Sequence, residues 1–420
     1  MINFKQVLSD QKEELTRLNL NSLIPREAEQ LWKKETGLIR IITGVRRSGK
    51  STLALQQLAA TQFAYVNFDD ERLTGLRSEE LNELLTAVYE VYGDITCFFF
   101  DEIQNTPNWS LFVNRLKRAG NRVIVTGSNS KLLSAELATH LTGRFTTIEL
   151  FPFSFSEFLV AKTEVNRAET TREKGIIKSK FEEYSLIGGF PEIIKGEEPI
   201  SYARDLFYSI INRDILFRHK INHTRAFKDL AAFLVLNTGK EISFNRLKNI
   251  FSLGSAHTAR NYVAFLEEAY LISTIGKFSY KHQETLRYRK SYVIDIAFYR
   301  SLMPAGSPNT GFVYETLVFQ HLFRFRQTLG IELFYYKGKR EVDFVVKRPD
   351  GALKLIQVCQ DLMAPGTMKR EVNGLLEASE ILRSDDLTII NDHLAEIKTI
   401  ENKKIRFVPL IDCLSHDDIL

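Results

Sequence analysis

Gly44-Val45-Arg46-Arg47-Ser48-Gly49-Lys50-Ser51 is a complete G-x-x-x-x-G-K-[ST] loop, set between an apolar run at residues 38–45 and a helix-like stretch at 51–60. A strand, a glycine-bounded turn and a helix start, in that order, make a cradle for phosphate. The glycines let backbone amides turn inward where a β-carbon would intrude. Lys50 is expected to place its charge on the β and γ phosphates and Ser51 to offer its hydroxyl to Mg²⁺, while the helix start adds its positive dipole end. With Arg47, Ser48 and Thr52, these residues are the set expected to line bound ATP.

Such a pocket needs a second half that holds the metal and aims a water. Cys97-Phe98-Phe99-Phe100 is a fully apolar run of the kind found in a central strand buried on both faces, and it stops at Asp101-Glu102. Neighbouring strand residues point to opposite sides, so Asp101 is expected to reach Mg²⁺ and Glu102 to polarise the attacking water. A third apolar run, 122–127, leads into Ser128-Asn129-Ser130, where Asn129 or Ser128 is placed to sense the γ phosphate. Leu141-Thr142-Gly143-Arg144 then precedes a run at 146–150. An arginine there is expected to act as a finger on the γ phosphate of a neighbouring copy, which implies a homo-oligomer.

The order of these pieces resembles a known family. Together with the segment 151–158 (Phe-Pro-Phe-Ser-Phe-Ser-Glu-Phe), Gly188-Gly189-Phe190-Pro191-Glu192 and Arg213-Asp214-Ile215, they are similar to bacterial and archaeal AAA-type ATPases. In that family the C-terminal half is a domain of unknown function with a restriction-endonuclease-like core. The resemblance extends over nearly the whole chain and implies ATP and Mg²⁺ as cofactors.

Changes of hydrophobic period divide the chain. Residues 1–35 read as helices, and 36–153 alternate apolar strands with amphipathic segments, as a parallel sheet flanked by helices requires. Residues 154–224 read as a helical lid whose swing would follow nucleotide state. In 225–291, three helix-like stretches followed by a strand pair give a winged-helix pattern. Ser255 is placed to cap the third helix and present His257, Thr258, Arg260 and Asn261, with a wing through 281–290 carrying Arg287-Tyr288-Arg289-Lys290. DNA or another nucleic acid is the favoured partner, and protein partners the alternative.

Residues 292–420 read as a restriction-endonuclease-like αβ domain. Glu315 on a helix, Asp343 on a strand, and Gln357-Val358-Cys359 fall where the resemblance places a glutamate, an aspartate and a Glu-x-Lys. In an active nuclease the carboxylates hold Mg²⁺ and the lysine helps activate water. Here Gln357 is neutral and Cys359 carries no ammonium, so the expectation is a degraded site. Lys337-Gly338-Lys339-Arg340 forms a basic turn just before Asp343.

Composition narrows the class. The 420 residues are 44% hydrophobic, enough for about three domains that each bury a core, and the formal net charge of +4 is too small to argue for nucleic acid unaided. Cys97, Cys359 and Cys413 show no zinc or disulfide spacing, and no charge-free run is long enough to cross a bilayer, so a cytoplasmic protein is expected. The pattern as a whole reads as an α/β Mg²⁺-ATPase coupling nucleotide state to a winged-helix and nuclease-like module. A nucleotide-switched scaffold and an ATP-dependent nuclease are the alternatives.

Overall fold

Alternation along one strand explains the first layers. In the Cys97–Asp101 strand, Phe98 and Phe100 pack with the helices Phe4–Thr16, Leu81–Tyr92 and Trp109–Arg118, while Cys97 and Phe99 pack with Leu53, Ala54 and Leu58 of helix Lys50–Leu58 and with Trp32. A strand covered on both faces needs an unbroken apolar run, and each fully buried phenylalanine contributes about 2 kcal/mol. The computed structural model describes residues 2–19, 23–33, 36–128, 141, 143–165, 169–304 and 311–415, in two units, Met1–Pro152 and Phe153–Leu420.

The first unit is built on a five-stranded, all-parallel sheet: β1 Ile39–Gly44, β2 Ala64–Asn67, β3 Cys97–Asp101, β4 Arg122–Gly127 and β5 Phe145–Leu150, in the order β2-β3-β4-β1-β5. Register brings the C-terminal ends together, with Thr43 opposite Gly127, Gly44 opposite Leu150 and Asn67 opposite Asp101. One edge of the sheet therefore collects the phosphate loop, Asp101-Glu102 and Ser128, which is where ligands of such sheets bind.

The second unit begins with helices. Ser154 and Glu157 form a reciprocal capping box that starts helix Phe155–Lys162, which accounts for the Ser-Phe-Ser-Glu pattern. Helices Thr171–Ile187, Pro191–Lys195 and Pro199–Ser209 follow, and the last continues into a π-helical turn, Ile210–Leu216, that carries Arg213-Asp214-Ile215.

A nine-stranded mixed sheet completes this unit. Its strands are β6 Lys240–Ile242, β7 Ile272–Lys277, β8 Arg289–Val293, β9 Glu332–Lys337, β10 Glu341–Lys347, β11 Leu353–Val358, β12 Asp386–Asn391, β13 Glu396–Ile400 and β14 Lys403–Pro409. They are ordered β13-β14-β12-β11-β10-β9-β7-β8-β6. Helices Thr224–Leu236, Phe244–Ile250 and Ala256–Glu268 precede β7, and Ser255 caps the third through the Thr258 N–H at 3.0 Å. Between β7 and β8, where a wing is expected, lies a short helix, His282–Arg287, and Arg289 and Lys290 belong to the sheet. The expected division at 291/292 falls inside β8. Helix Gly311–Leu329, β9, β10, β11, helix Thr367–Leu382 and β12 run in αβββαβ order, with β9-β10-β11 antiparallel and β11-β12 parallel.

Candidate functional site

The phosphate loop is shaped by close approach as much as by ligand space. A β-carbon on Gly44, whose φ is +134°, would lie 2.0 Å from the Leu150 carbonyl oxygen, so glycine is required there by the packing of β1 on β5. A β-carbon on Gly49 would make only ordinary contacts, 3.5 Å from Arg26 Nη1 and 3.9 Å from Thr52 Cβ, but the residue sits at φ +90°, and Arg47 also adopts the left-handed region. The reason for Gly44 thus differs from the amide-facing role expected from sequence. Thr52 lies in the first turn of helix Lys50–Leu58. Arg26 braces the loop, donating to the Ser48 carbonyl at 2.8 Å and the Phe151 carbonyl at 2.6 Å. The Ser48 hydroxyl is fully buried and has no hydrogen-bond partner among the described residues. A phosphate oxygen is the group such an orphan hydroxyl lacks.

Lys50 is buried, and its ammonium donates to the Val45 carbonyl at 3.0 Å and the Gly44 carbonyl at 3.4 Å. Ser51 Oγ donates to Asp101 Oδ1 at 2.8 Å, so the helix start and the end of β3 meet. Asp101 also accepts from Tyr65 at 3.1 Å through Oδ2 and from Thr126 through Oδ1. Burial pushes the Asp101 carboxyl above its ordinary range, opposed by the hydrogen bonds from Thr126, Ser51 and Tyr65. A hydroxyl and a carboxylate in contact beside a phosphate cradle fit a hard divalent cation such as Mg²⁺.

Glu102 follows in the left-handed region at φ 52°, its N–H donating to Thr126 Oγ1 at 3.0 Å. That turn takes its side chain off the strand alternation. Its carboxylate accepts from Gln104 Nε2 and, at 3.4 Å, from Ser128 Oγ. Tyr65, Thr126, Arg26 and Gln104 were not legible as site residues, because only strand register and tertiary approach bring them in. Asn129 lies outside the described residues. Arg144 is exposed and donates to Asn114 Oδ1 at 2.8 Å. It precedes β5 at the end opposite the phosphate loop, since Phe145 pairs with Ile39 and Leu150 with Gly44. About 17 Å of strand separates it from the loop of its own chain.

In the second unit, Glu315, Asp343 and Gln357 do come together, with residues that sequence did not supply. Asp343 sits at a register shift between Val342 and Val345, accepts the Val358 N–H at 2.9 Å, and donates its own N–H to Gln357 Oε1 at 3.3 Å. Gln357 Nε2 donates to Glu371 Oε2 at 2.8 Å. Cys359 lies just past β11, its Sγ 3.6 Å from the Asp361 carbonyl, with burial pushing the thiol up to about 11. Lys290, expected in an exposed wing, is 3% exposed and sits 3.1 Å from Glu315 and 2.5 Å from Glu341. It is therefore corrected from a wing residue to a buried cation.

Comparison with known proteins identifies the domain that carries the first of these sites. Residues 37–159 match the model of an AAA domain; residues 178–309 and 310–410 match two domains of unknown function, DUF8612 and DUF4143. An uncharacterized protein of Methanocaldococcus jannaschii is 36% identical over 393 residues, covering 88% of this chain and 87% of its own length. The chain belongs to the family of that archaeal protein. Its AAA domain is a P-loop ATPase domain, and the phosphate loop at Gly44–Ser51 lies within the matched residues. An uncharacterized protein of Haemophilus influenzae is 28% identical over 337 residues, covering 76% of this chain and 82% of its own. Among solved structures, the Walker-type ATPase of Pyrococcus abyssi aligns with a TM-score of 0.43 and 16% identity, over 67% of this chain and 96% of that one. Among the described residues, no helix of this family member is long and apolar enough to cross a membrane.

Proposed function

We propose that the chain is a Mg²⁺-dependent ATPase that hydrolyses ATP at Lys50, Ser51, Asp101 and Glu102 and uses the cycle to act on duplex nucleic acid held by its second unit. The observation that carries the hydrolytic reading is the 2.8 Å hydrogen bond from Ser51 to Asp101 beside the Glu102 carboxylate. Lys50 exchanges the Val45 and Gly44 carbonyls for the β and γ phosphates, and the Ser48 hydroxyl gains its missing partner. Glu102 leaves Gln104 to accept a hydrogen bond from the attacking water, which orients it in line with the γ phosphate. Ser51 and Asp101 are the residues that would hold Mg²⁺, which when bound supplies positive charge against the β and γ oxygens.

Support for the nucleic-acid half comes from a cleft of about 500 Å³ that includes Ser243, Asn245, His257, Arg260, Arg287 and Tyr288 in its lining. Arg260 is exposed and its guanidinium lies over the Phe244 ring at 5.1 Å. The helix order around β6, β7 and β8 supports reading this region as a winged helix, whose third helix meets DNA near its N-terminal end. The αβββαβ order that follows supports a restriction-endonuclease-like core in which Gln357 and Cys359 replace catalytic groups. Arg144, exposed at the far end of β5, is proposed to reach the loop of a neighbouring copy in a homo-oligomer.

One assay series tests these steps. ATPase activity is expected in the wild type, rising with protein concentration and with added duplex DNA, and absent in Lys50→Ala; Glu102→Gln retains nucleotide while hydrolysis falls at least about 100-fold. Arg144→Ala is expected to remove the concentration dependence, and Arg260→Ala with Arg287→Ala the DNA stimulation and its salt sensitivity. An active Lys50→Ala protein would refute the hydrolytic site, and indifference to every duplex, single strand and junction would leave a protein as the client.

A further inference from the structure

Strand β8 carries a lysine where a charge is least expected. The Lys290 side chain is 3% exposed, and its ammonium lies 2.5 Å from Glu341 Oε1, 3.1 Å from Glu315 Oε1 and 3.8 Å from Asp343 Oδ1. Tyr292, two residues along the same face of β8, donates its hydroxyl to the same Glu315 oxygen at 2.7 Å. The Tyr335 ring sits 5.5 Å from the ammonium. One lysine and three carboxyl side chains from three separate elements, β8, helix Gly311–Leu329 and β10, converge on one point.

Desolvating any of these groups alone would cost several kcal/mol; one ammonium serves three carboxyl groups, and burial, with the neighbouring Glu315, pushes Asp343 toward its protonated form, which lightens the negative charge the ammonium must meet. Burial works against the ammonium, but Glu315, Asp343 and Glu341 outweigh it and hold the Lys290 pKa above the ordinary lysine range. In a metal-dependent nuclease core, carboxylates in these places would hold a divalent cation. The residues here do not fit one. Glu315 Oε1 already receives both the tyrosine and the ammonium, and Asp343 Oδ2 receives the Val358 N–H. Gln357 turns a donor amide toward Glu371. A divalent ion would have to displace a positive charge held by three carboxylates.

We infer that Lys290 is the resident cation of this carboxylate cluster, taking the place of a divalent metal and fastening β8 to helix Gly311–Leu329 and β10. The cluster is then a joint whose cation is supplied from within the chain. The replacement of a metal rests on the proposed nuclease-like core, while the joint itself rests on the geometry of the cluster; neither depends on ATP hydrolysis or DNA binding.

The test uses the full chain without nucleotide, measuring Mn²⁺ binding and thermal unfolding. The wild type is expected to take up no Mn²⁺ that is sensitive to Asp343→Asn. Lys290→Met is expected to melt several degrees lower and to gain a Mn²⁺ equivalent that restores part of the loss and disappears when Asp343→Asn is added. Should Lys290→Met fold poorly, the compensating pair Lys290→Met with Glu315→Gln is expected to recover stability, because one charge leaves from each side of the cluster. Wild-type Mn²⁺ binding abolished by Asp343→Asn, a Lys290→Met protein as stable as the wild type, or purely additive losses in the double variant would each overturn the inference.

Discussion

Tyr65 shows what a single hydroxyl contributes at the nucleotide site. It lies on β2, one strand over from Asp101, and its OH donates to Asp101 Oδ2 while Ser51 and Thr126 occupy Oδ1. Burial and the neighbouring carboxylate keep the phenol protonated far above its ordinary range, so it acts as a fixed donor at any working pH. Tyr65→Phe removes one hydrogen bond without altering the ring that packs on Phe99 at 5.3 Å. Partners that orient a metal-holding carboxylate matter typically 10- to 100-fold. The ATPase rate of Tyr65→Phe is therefore expected to fall about tenfold and to need more Mg²⁺ to reach its plateau, as a titration of rate against Mg²⁺ would show; an unchanged profile would remove Tyr65 from the site. Lys50, Ser51, Asp101 and Glu102 could be named as candidates from the sequence because their spacing along the chain matches a phosphate-loop pattern, and the fold sets Ser51 against Asp101. Tyr65 and Thr126 could not, since a tyrosine in an apolar strand reads as core until the register of β2 on β3 is known.

At the scale of elements, the Gly188-Gly189 pair gains a physical reason. A β-carbon on Gly189 would lie 2.1 Å from the Phe153 carbonyl oxygen, and one on Gly188, at φ +74°, 2.1 Å from Asp295 Oδ1. The Gly189 N–H donates to Asp295 Oδ2 at 3.1 Å, and its carbonyl accepts the Phe153 N–H at 2.7 Å. The turn after helix Thr171–Ile187 thus presses its bare backbone on a fully buried carboxylate, which also caps helix Ile296–Leu302 through the Ala297 N–H. Burial raises the Asp295 pKa to about 6, with the Ala297 and Gly189 N–H groups and Arg324 opposing it. Because the folded state holds this proton more tightly than the unfolded chain, the contribution is complete below the ordinary value near 3.8 and is lost as pH rises through about 6. The shift corresponds to about 3 kcal/mol. Asp295→Asn should therefore flatten the fall in stability between these limits, and the difference in unfolding free energy between the two proteins, measured across that range, checks it. Equal slopes would mean that Asp295 stays ionised in the fold. The glycines were visible as a motif in the sequence, but nothing there named a carboxylate about a hundred positions away as their partner.

Across the whole molecule, the sequence divided the second half at a strand. The helices and strands of 225–291 and the αβ elements beyond are legible from period and composition, yet β7 pairs in parallel with β9 through Gly276–Phe334 and Lys277–Tyr335, and the Phe278 N–H extends the pair to the Tyr335 carbonyl at 2.6 Å. Pairings between strands far apart in sequence leave no mark on local pattern. Side chains reinforce the same seam: Lys337 meets Glu241 at 2.9 Å, Tyr335 donates to Glu241 at 3.2 Å, and the buried Thr238 and Thr316 hydroxyls lie 3.0 Å apart. Phe278 packs edge-on to Phe334 with ring centroids 5.5 Å apart, and Tyr292 stacks on Phe319 at 4.3 Å. Two domains joined by a linker would melt separately, whereas elements sharing one sheet and one core lose their contacts together. Hydrogen exchange in mild denaturant is thus expected to show the amides of β7, β8, β9 and β10 opening with a single free energy. A substitution that weakens the seam on one side, such as Thr238→Val with its buried hydroxyl partner left unpaired, should lower protection on both sides by the same amount, on the order of 1–3 kcal/mol. If instead β7 and β8 open at lower free energy while β10 and β11 keep their protection, the nine strands are two cooperative bodies in edge contact, and movement between them becomes available to a nucleotide-driven cycle.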